Sequence, residues 1–351
     1  MPNPEPGRVE RYLRSFRQRV LAGETEQVAE MAERWYAVEQ RLEAAYLALA
    51  REVDALRAAG QPVNAKKLTE LARYRSLIGQ AQAETSQYQA WSANLIAARQ
   101  RELARMGIDD AAELIRSSYL EVGSTVARFD FLPVEAVETM IGYAGNGSPL
   151  YDLLIASYPQ TVQDLTSTLV QAVAQGDSPR TTARKMANAM GGNLERSLTV
   201  ARTEQLRTYR TTSTEQMKAS GVVEGWYWRC AKQTRTCAAC LAMDDGVTIH
   251  DLDEDLTDHP NGRCFKQPAI RGLEPVQMQS GTAYFRELPE DTQRAMLGKE
   301  KFEAWQNGQF IFADLAKKRR SKEWGTHVSV ASLKELGIAT SQAPRNDGSQ
   351  Q

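Results

Sequence analysis

Four side chains in the last third of this 351-residue sequence have the types and spacing of a tetrahedral metal site. Cys237 and Cys240 are separated by two residues, and His259 and Cys264 follow with four residues between them. Two residues between thiols let one tight turn present both sulfurs to one ion, and a distant second half closes the shell across the intervening loop. Three thiolates and one imidazole suit Zn2+, so the spacing predicts a structural zinc held by Cys237, Cys240, His259 and Cys264. Two other uses of the cysteines compete with this. A buried cysteine can be simply a small hydrophobe, which fits Cys230, seven residues before the pair. A CxxC can also be a redox pair, but that reading expects a motif opening a helix in a βαβ context, whereas this one follows Trp226-Tyr227-Trp228 in a turn-rich segment.

The elements that must position these residues are mostly helical. Residues 9–106 read as a long helical hairpin. Val28, Met31, Trp35, Val38, Leu42, Ala45, Leu49, Val53 and Leu56 recur three and four apart. Gly60-Gln61-Pro62 breaks the chain, and Leu68, Leu71, Tyr74, Ile78, Ala81, Thr85, Tyr88 and Leu95 carry a return helix. The plain reading of both seams is bundle core; the alternative is a coiled coil between chains of an oligomer. Gly107 is expected to stop the second helix, with Asp110 and Glu113 capping the next, through about Val122. Ser148-Pro149 and Ser178-Pro179 each launch a further helix, the first from Tyr151 to about Tyr158 and the second ending at Gly191-Gly192. From Leu194 another helix runs to Gly221, and its Arg196, Arg202, Glu204, Arg207 and Arg210 read as a solvated face.

After Gly221 the period changes. Val222 to Arg229 alternates and is rich in β-formers, which predicts a strand, then a short hairpin around Asp245-Gly246 with Val247-Thr248-Ile249 as its second strand. The rings of Trp226, Tyr227 and Trp228 supply core on both faces of that strand. An acidic loop, Asp251 to Asp258, precedes His259 and is poor company for phosphates, so this face is expected to meet protein or solvent. The expected fold class is therefore mainly α with a small zinc-stabilised α+β module. Its segments are a flexible terminus (1–8), a helical arm (9–124), a central helical block (125–221), a β-rich knuckle (222–272), a C-terminal helical extension (273–340) and a disordered tail (341–351).

Lysine plus arginine number 43 against 44 acidic residues, so no global charge draws the chain to nucleic acid or membrane. The sequence has no apolar run of membrane-spanning length, and Met1 to Gly7 lacks the apolar stretch of a signal peptide, so the expectation is a soluble protein made in a reducing cytoplasm, where thiols are free to bind metal. One local basic cluster, Lys317, Lys318, Arg319, Arg320 and Lys322, could hold phosphates non-specifically; its plain reading is a solvated helix end after Phe310-Ile311-Phe312.

The ordered set Ala201-Arg202-Thr203-Glu204, Gly221, Trp226 to Trp228, Arg235-Thr236-Cys237-x-x-Cys240, Asp245-Gly246 and His259-Pro260-Asn261-Gly262-Arg263-Cys264 resembles the phage Mu F-like head morphogenesis family of minor head proteins. The likeness spans roughly residues 130–270. It implies a tailed-phage virion component that associates with the portal inside the capsid and assists head assembly or DNA passage, with portal and other capsid proteins as partners and the host cytoplasm as the site of assembly. Many relatives carry a cysteine where this chain has Gly262, which leaves the fourth ligand open. Cys264 completes a Cys3His set, and His250 and Cys230 are the substitutes. With only three protein ligands the site would be catalytic in form, a zinc-dependent nuclease or hydrolase with His259 or Asn261 beside the metal. The sequence offers that reading few partners, because its histidines are His250, His259 and His327 alone. The expectation is thus a non-enzymatic assembly protein, with homo-oligomerisation and non-specific contact with double-stranded DNA as further possibilities.

Overall fold

The computed structural model describes residues 7–144, 147–155, 159–175, 177, 179–321 and 324–338. In chain order the helices are α1 (Arg8–Ala58), α2 (Ala65–Glu70), α3 (Ala72–Glu121), α4 (Leu150–Ile155), α5 (Pro159–Gln175) and α6 (Pro179–Ala219). Strand β1 (Val223–Arg229) follows, then α7 (Ala238–Met243), β2 (Ile249–His250) and β3 (Phe265–Ile270). The chain ends in α8 (Gly281–Glu287), α9 (Glu290–Leu297), α10 (Lys299–Gln306) and a ribbon of β4 (Ala316–Ser321) and β5 (Gly325–Val330). The expected tail at 341–351 lies outside the described residues, as do residues 1–6 of the expected flexible terminus. Among the described residues no helix is long and apolar enough to cross a membrane.

The chain divides into two compact units. One gathers the described residues of Phe16–Met106 and Pro133–Tyr209, the other those of Met1–Ser15, Gly107–Leu132 and Arg210–Gln351. The first is a helical bundle built on the expected hairpin. Trp35 packs edge-on to Tyr88 at 4.7 Å, the Tyr88 hydroxyl donates to the Met31 carbonyl at 3.2 Å, and Arg41 forms a fork with Glu84. These pairings, with sequence numbers rising on one helix as they fall on the other, define an antiparallel pair. The turn comes where Gly60 takes φ +72°, and Asn64 then caps α2 by accepting from the Lys67 N–H at 2.9 Å. The seam differs from expectation by one residue at four places: Gln27, Tyr46, Leu77 and Ile96 are buried, not Val28, Ala45, Ile78 and Leu95. A 3.6-residue repeat drifts against a strict three-four pattern, which accounts for a slip of this size.

Two expected helix stops are absent. α3 runs through Gly107 to Glu121, and α6 runs through Gly191-Gly192 to Ala219 as one helix. An interior glycine costs only about 1 kcal/mol relative to alanine, and around Gly107 the burial of Leu103, Ala104, Ile108, Ala111 and Ala112 outweighs it. Asp110 caps nothing. It sits buried within α3, where its carboxylate accepts from the Tyr12 hydroxyl at 2.8 Å. α4 begins at Leu150, and the expected end near Tyr158 falls outside the described residues.

The second unit contains an antiparallel sheet in the order β2-β1-β3. Trp226, Tyr227 and Trp228 are all buried, as expected of a strand covered on both faces. The predicted hairpin is corrected in two ways. Only Ile249 and His250 pair with β1, opposite Tyr227 and Trp226, and the connection contains α7 rather than a tight turn. The third strand, β3, was not foreseen. Its Pro268 disqualifies it as a central strand, and it lies at the edge, opposite Trp226. The C-terminal segment is also corrected. Its α-helices end at Gln306, with short 3-10 turns at Phe312–Leu315 and Lys334–Leu336, and Lys317 to Arg320 stand on β4 of an antiparallel ribbon, not at a helix end.

Candidate metal centre

The local sequence fixes the first half of the centre. Cys237 is extended (φ −60°, ψ 139°) and immediately precedes α7, so its carbonyl starts the helix by accepting from Leu241 N–H at 3.0 Å. Cys240 lies one turn on, within α7. The motif therefore does open a helix, which removes one of the two grounds against a thiol redox pair; the other stands, since the surrounding sheet is antiparallel and not a βαβ unit.

The second half is a loop, residues 258–264, folded around a single arginine. Arg210, near the end of α6, donates from Nη1 and Nη2 to the two Asp258 oxygens at 2.7 Å each. It also donates to the carbonyls of Gly262 and Cys264, both at 3.0 Å. Asp258 Oδ2 accepts the Cys264 N–H at 3.2 Å, and a turn is closed by Gly262 N–H to the His259 carbonyl at 2.7 Å. Helical charge spacing alone predicts a solvated Arg210, but 11 % of its side chain is exposed and 4 % of Asp258's, so the pair is an internal fork. The signal that could have found it is the acid placed directly before His259.

Asn261 takes the left-handed conformation (φ 61°) that asparagine tolerates. At Gly262 a Cβ would fall 2.1 Å from Asp258 Oδ2 and 2.6 Å from the His259 carbonyl oxygen. The close approach of this loop to its own carboxylate therefore requires glycine here, where a cysteine would collide.

The two halves meet. The ligand atoms of Cys237, Cys240 and His259 all lie within 4.8 Å of one another. Cys264 is buried beside them and shares a hydrogen bond with Cys240 without joining the group in which every pair is this close. Hydrogen bonding from Cys240, together with His259, holds the Cys237 thiol far below its ordinary range despite its burial. Contacts with Cys237 and then Cys264, added to burial, push Cys240 strongly upward. His259 is raised to about 9, chiefly by its hydrogen bond with Cys237. These shifts favour the charged forms of Cys237 and His259 and the neutral form of Cys240. His259 Nδ1 lies 2.8 Å from the Pro260 carbonyl, which can only accept, so Nδ1 carries a proton and Nε2 is left for a metal.

This donor set fits zinc. Zn–S bonds of about 2.3 Å put two tetrahedral sulfurs roughly 3.8 Å apart, inside the 4.8 Å that bounds the cluster. The two substitutes are occupied elsewhere. Cys230 donates its N–H and thiol to Asp244, at 3.1 and 3.4 Å, and burial raises its thiol out of the ordinary range. His250 stacks on Trp226 at 4.4 Å and faces Glu254 at 2.9 Å. Beneath the cysteines, fully buried Asp244 also receives Arg229 Nη1 at 3.0 Å and Lys232 Nζ at 2.5 Å, and the Arg229 Nε donates to Gln267 at 2.6 Å. Arg229, Lys232 and Gln267 carry no sequence signal for this supporting role.

The other candidate residues lie apart from the cysteines in sequence and element. Lys318, Arg319 and Arg320 are exposed on β4 and Lys317 is half-buried; Arg319 donates to Glu335 at 2.7 Å, and Lys322 lies outside the described residues. Among the described residues the metal-ligand cluster contains a single histidine.

Residues 163–265 match the family model described as Phage Mu protein F like protein. The matched stretch runs from α5 to the first residue of β3 and contains all four candidate ligands. The chain thus carries a Mu F-like phage segment. No curated protein and no solved structure matches it.

Proposed function

We propose that this chain, on the strength of its Mu F-like segment, is a non-enzymatic minor head protein of a tailed phage that works with the portal and other capsid components in head assembly and DNA packaging or exit. It would be assembled in the host cytoplasm and retained in the virion. Its Mu F-like segment would be closed by a structural zinc on Cys237, Cys240, His259 and Cys264. The ion would join the α7 turn to the 258–264 loop, a connection worth on the order of 10 kcal/mol in small zinc modules. The α1–α3 hairpin would serve as the arm that packs on other subunits, including further copies of this chain. The single observation that carries the reading is that the segment with family likeness ends one residue past Cys264 and encloses the thiol-imidazole cluster.

Zinc measured by plasma mass spectrometry on full-length protein is expected at one equivalent per chain, falling by half or more in Cys240→Ser. A folded sample with no zinc overturns the metal half of the reading. Retention of the chain on a purified portal ring, and its loss when residues 163–265 are deleted, tests the assembly half.

A second reading is favoured by one observation, the placement of Lys317 to Arg320 on a two-stranded ribbon. The major groove of duplex DNA admits such a ribbon. The nuclease reading gains no comparable support, since the cluster offers no second histidine as base among the described residues.

A further inference from the structure

Three features of the cysteine cluster bear on chemistry other than metal binding. Cys237 immediately precedes α7 and Cys240 sits one turn into it, with their sulfurs within 4.8 Å of each other. Cys237 is the half-exposed member, while Cys230, Cys240 and Cys264 are buried with 0–2 % exposure. Cys264 touches Cys240 but lies outside the tight group containing Cys237. A small oxidant in solvent therefore reaches one sulfur first, and the other sulfur of the group within 4.8 Å is Cys240.

We propose that Cys237 and Cys240 are a reversible dithiol–disulfide modification site, with Cys237 the attacking and Cys240 the resolving sulfur, and that the disulfide and the metal exclude one another. The co-reactant class is a hydroperoxide. The Cys237 sulfur attacks a peroxide oxygen, the O–O bond breaks, and a sulfenic acid forms on Cys237 as the departing hydroxide takes the proton given up by the Cys237 thiol and leaves as water. The Cys240 sulfur then attacks the Cys237 sulfur; the S–S bond forms, the S–O bond breaks, and the departing hydroxide takes the Cys240 proton as water. Two thiols lose two electrons and two protons, and hydrogen peroxide becomes two waters. A reducing dithiol reverses the step by exchange.

The structural consequence follows from which residues are joined. A metal ties α7 to the 258–264 loop, whereas a Cys237–Cys240 bond lies wholly within the first turn of α7. Oxidation consumes two of the ligands and leaves His259 and Cys264 without partners on α7, so the long-range connection is lost. The bond itself closes only a four-residue loop, which restrains the unfolded chain little.

The inference rests on the zinc reading in its claim of exclusion only, and one experiment separates the two. Full-length protein as purified is treated with hydrogen peroxide. Zinc release is followed with a chromogenic indicator, and disulfides are mapped by peptide mass spectrometry after alkylation of free thiols. Expected is one Cys237–Cys240 disulfide per chain, with zinc released in equal amount, both reversed by dithiothreitol and added zinc. Cys230→Ser should behave as the parent protein, and Cys240→Ser should accumulate a sulfenic acid on Cys237 that dimedone traps. A disulfide mapped to Cys240–Cys264, or oxidation straight to sulfinic acid with no disulfide, overturns the proposal. Protein that holds no zinc but still forms the Cys237–Cys240 bond overturns the metal reading and leaves this one standing.

Discussion

At the scale of single residues the candidate centre depends on Arg210 as much as on its sulfurs. Its guanidinium satisfies both oxygens of Asp258 and two loop carbonyls, so one side chain sets the path of the backbone that presents His259 and Cys264. Removing one partner of an internal charge pair strands the other without compensation. Arg210→Ala is expected to destabilise the protein by about 3–5 kcal/mol, read from denaturant midpoints. Because groups supporting metal ligands influence affinity through orientation, the same variant should bind zinc roughly 10- to 100-fold more weakly in competition with a chelator. Arg210→Lys, which keeps the charge but not the fork, should recover only part of either loss. Unchanged zinc affinity in a stable Arg210→Ala protein would remove the positioning role.

At the scale of elements the long helices tolerate glycine, and the cost is recoverable where nothing crowds the backbone. Gly79 is an exposed interior position of α3, and a Cβ built there meets no atom within 4 Å. Gly79→Ala is therefore expected to stabilise the protein by about 1 kcal/mol, visible as a raised Tm in thermal unfolding. The turn after the β4–β5 ribbon is stapled by Glu335, whose carboxylate is lowered to about 2, first by the Ser332 N–H and then by the Ser332 hydroxyl, with Arg319 adding to both. A carboxyl depressed in the folded state contributes stability that is fully present above its ordinary value of 4.5 and disappears as pH falls through about 2. The difference in Tm between the parent protein and Glu335→Gln should accordingly shrink across that window, and a difference independent of pH would contradict the assignment. If the ribbon holds duplex DNA, affinity should fall with added salt at a logarithmic slope of about −3 to −4, one step for each of Lys317, Lys318, Arg319 and Arg320; Lys318→Glu with Arg320→Glu should abolish the gel shift. No shift at low salt would exclude DNA as the ribbon's partner.

For the molecule as a whole, the two units owe their stability to different things. The helical bundle has a long apolar seam from Met31 to Val53 on α1, matched by Leu68 to Ile96 on the return path. The sheet unit packs Trp226, Trp228, Cys240, Cys264, Phe285, Phe302 and Phe312 into one core, so the cysteines belong to the core rather than decorating it. Removing a metal from such a place should affect that core directly. Chelation is expected to unfold residues 222–270, lost as tryptophan fluorescence shifts to the red, while most of the far-ultraviolet helical signal persists. A simultaneous loss of both signals would show that the bundle has no independent stability.

The sequence by itself determined the helical hairpin, the break at Gly60, the strand through Trp226 to Trp228, the family likeness and the types of the candidate ligands. Each of these is written in local period, turn chemistry or an ordered motif, signals that survive without knowledge of neighbours. Tertiary structure alone decided the rest. Gly107 passes through a helix because a local preference of about 1 kcal/mol yields to the burial of its neighbours. β3 pairs despite Pro268 because it occupies an edge. Arg210 becomes a clamp because Asp258, 48 residues away in the chain, is brought to it. Spacing could name Cys237, Cys240, His259 and Cys264, but only the folded chain distinguishes the three that converge within 4.8 Å from the fourth that adjoins them through Cys240, since distances between remote segments are set by packing and not by sequence separation.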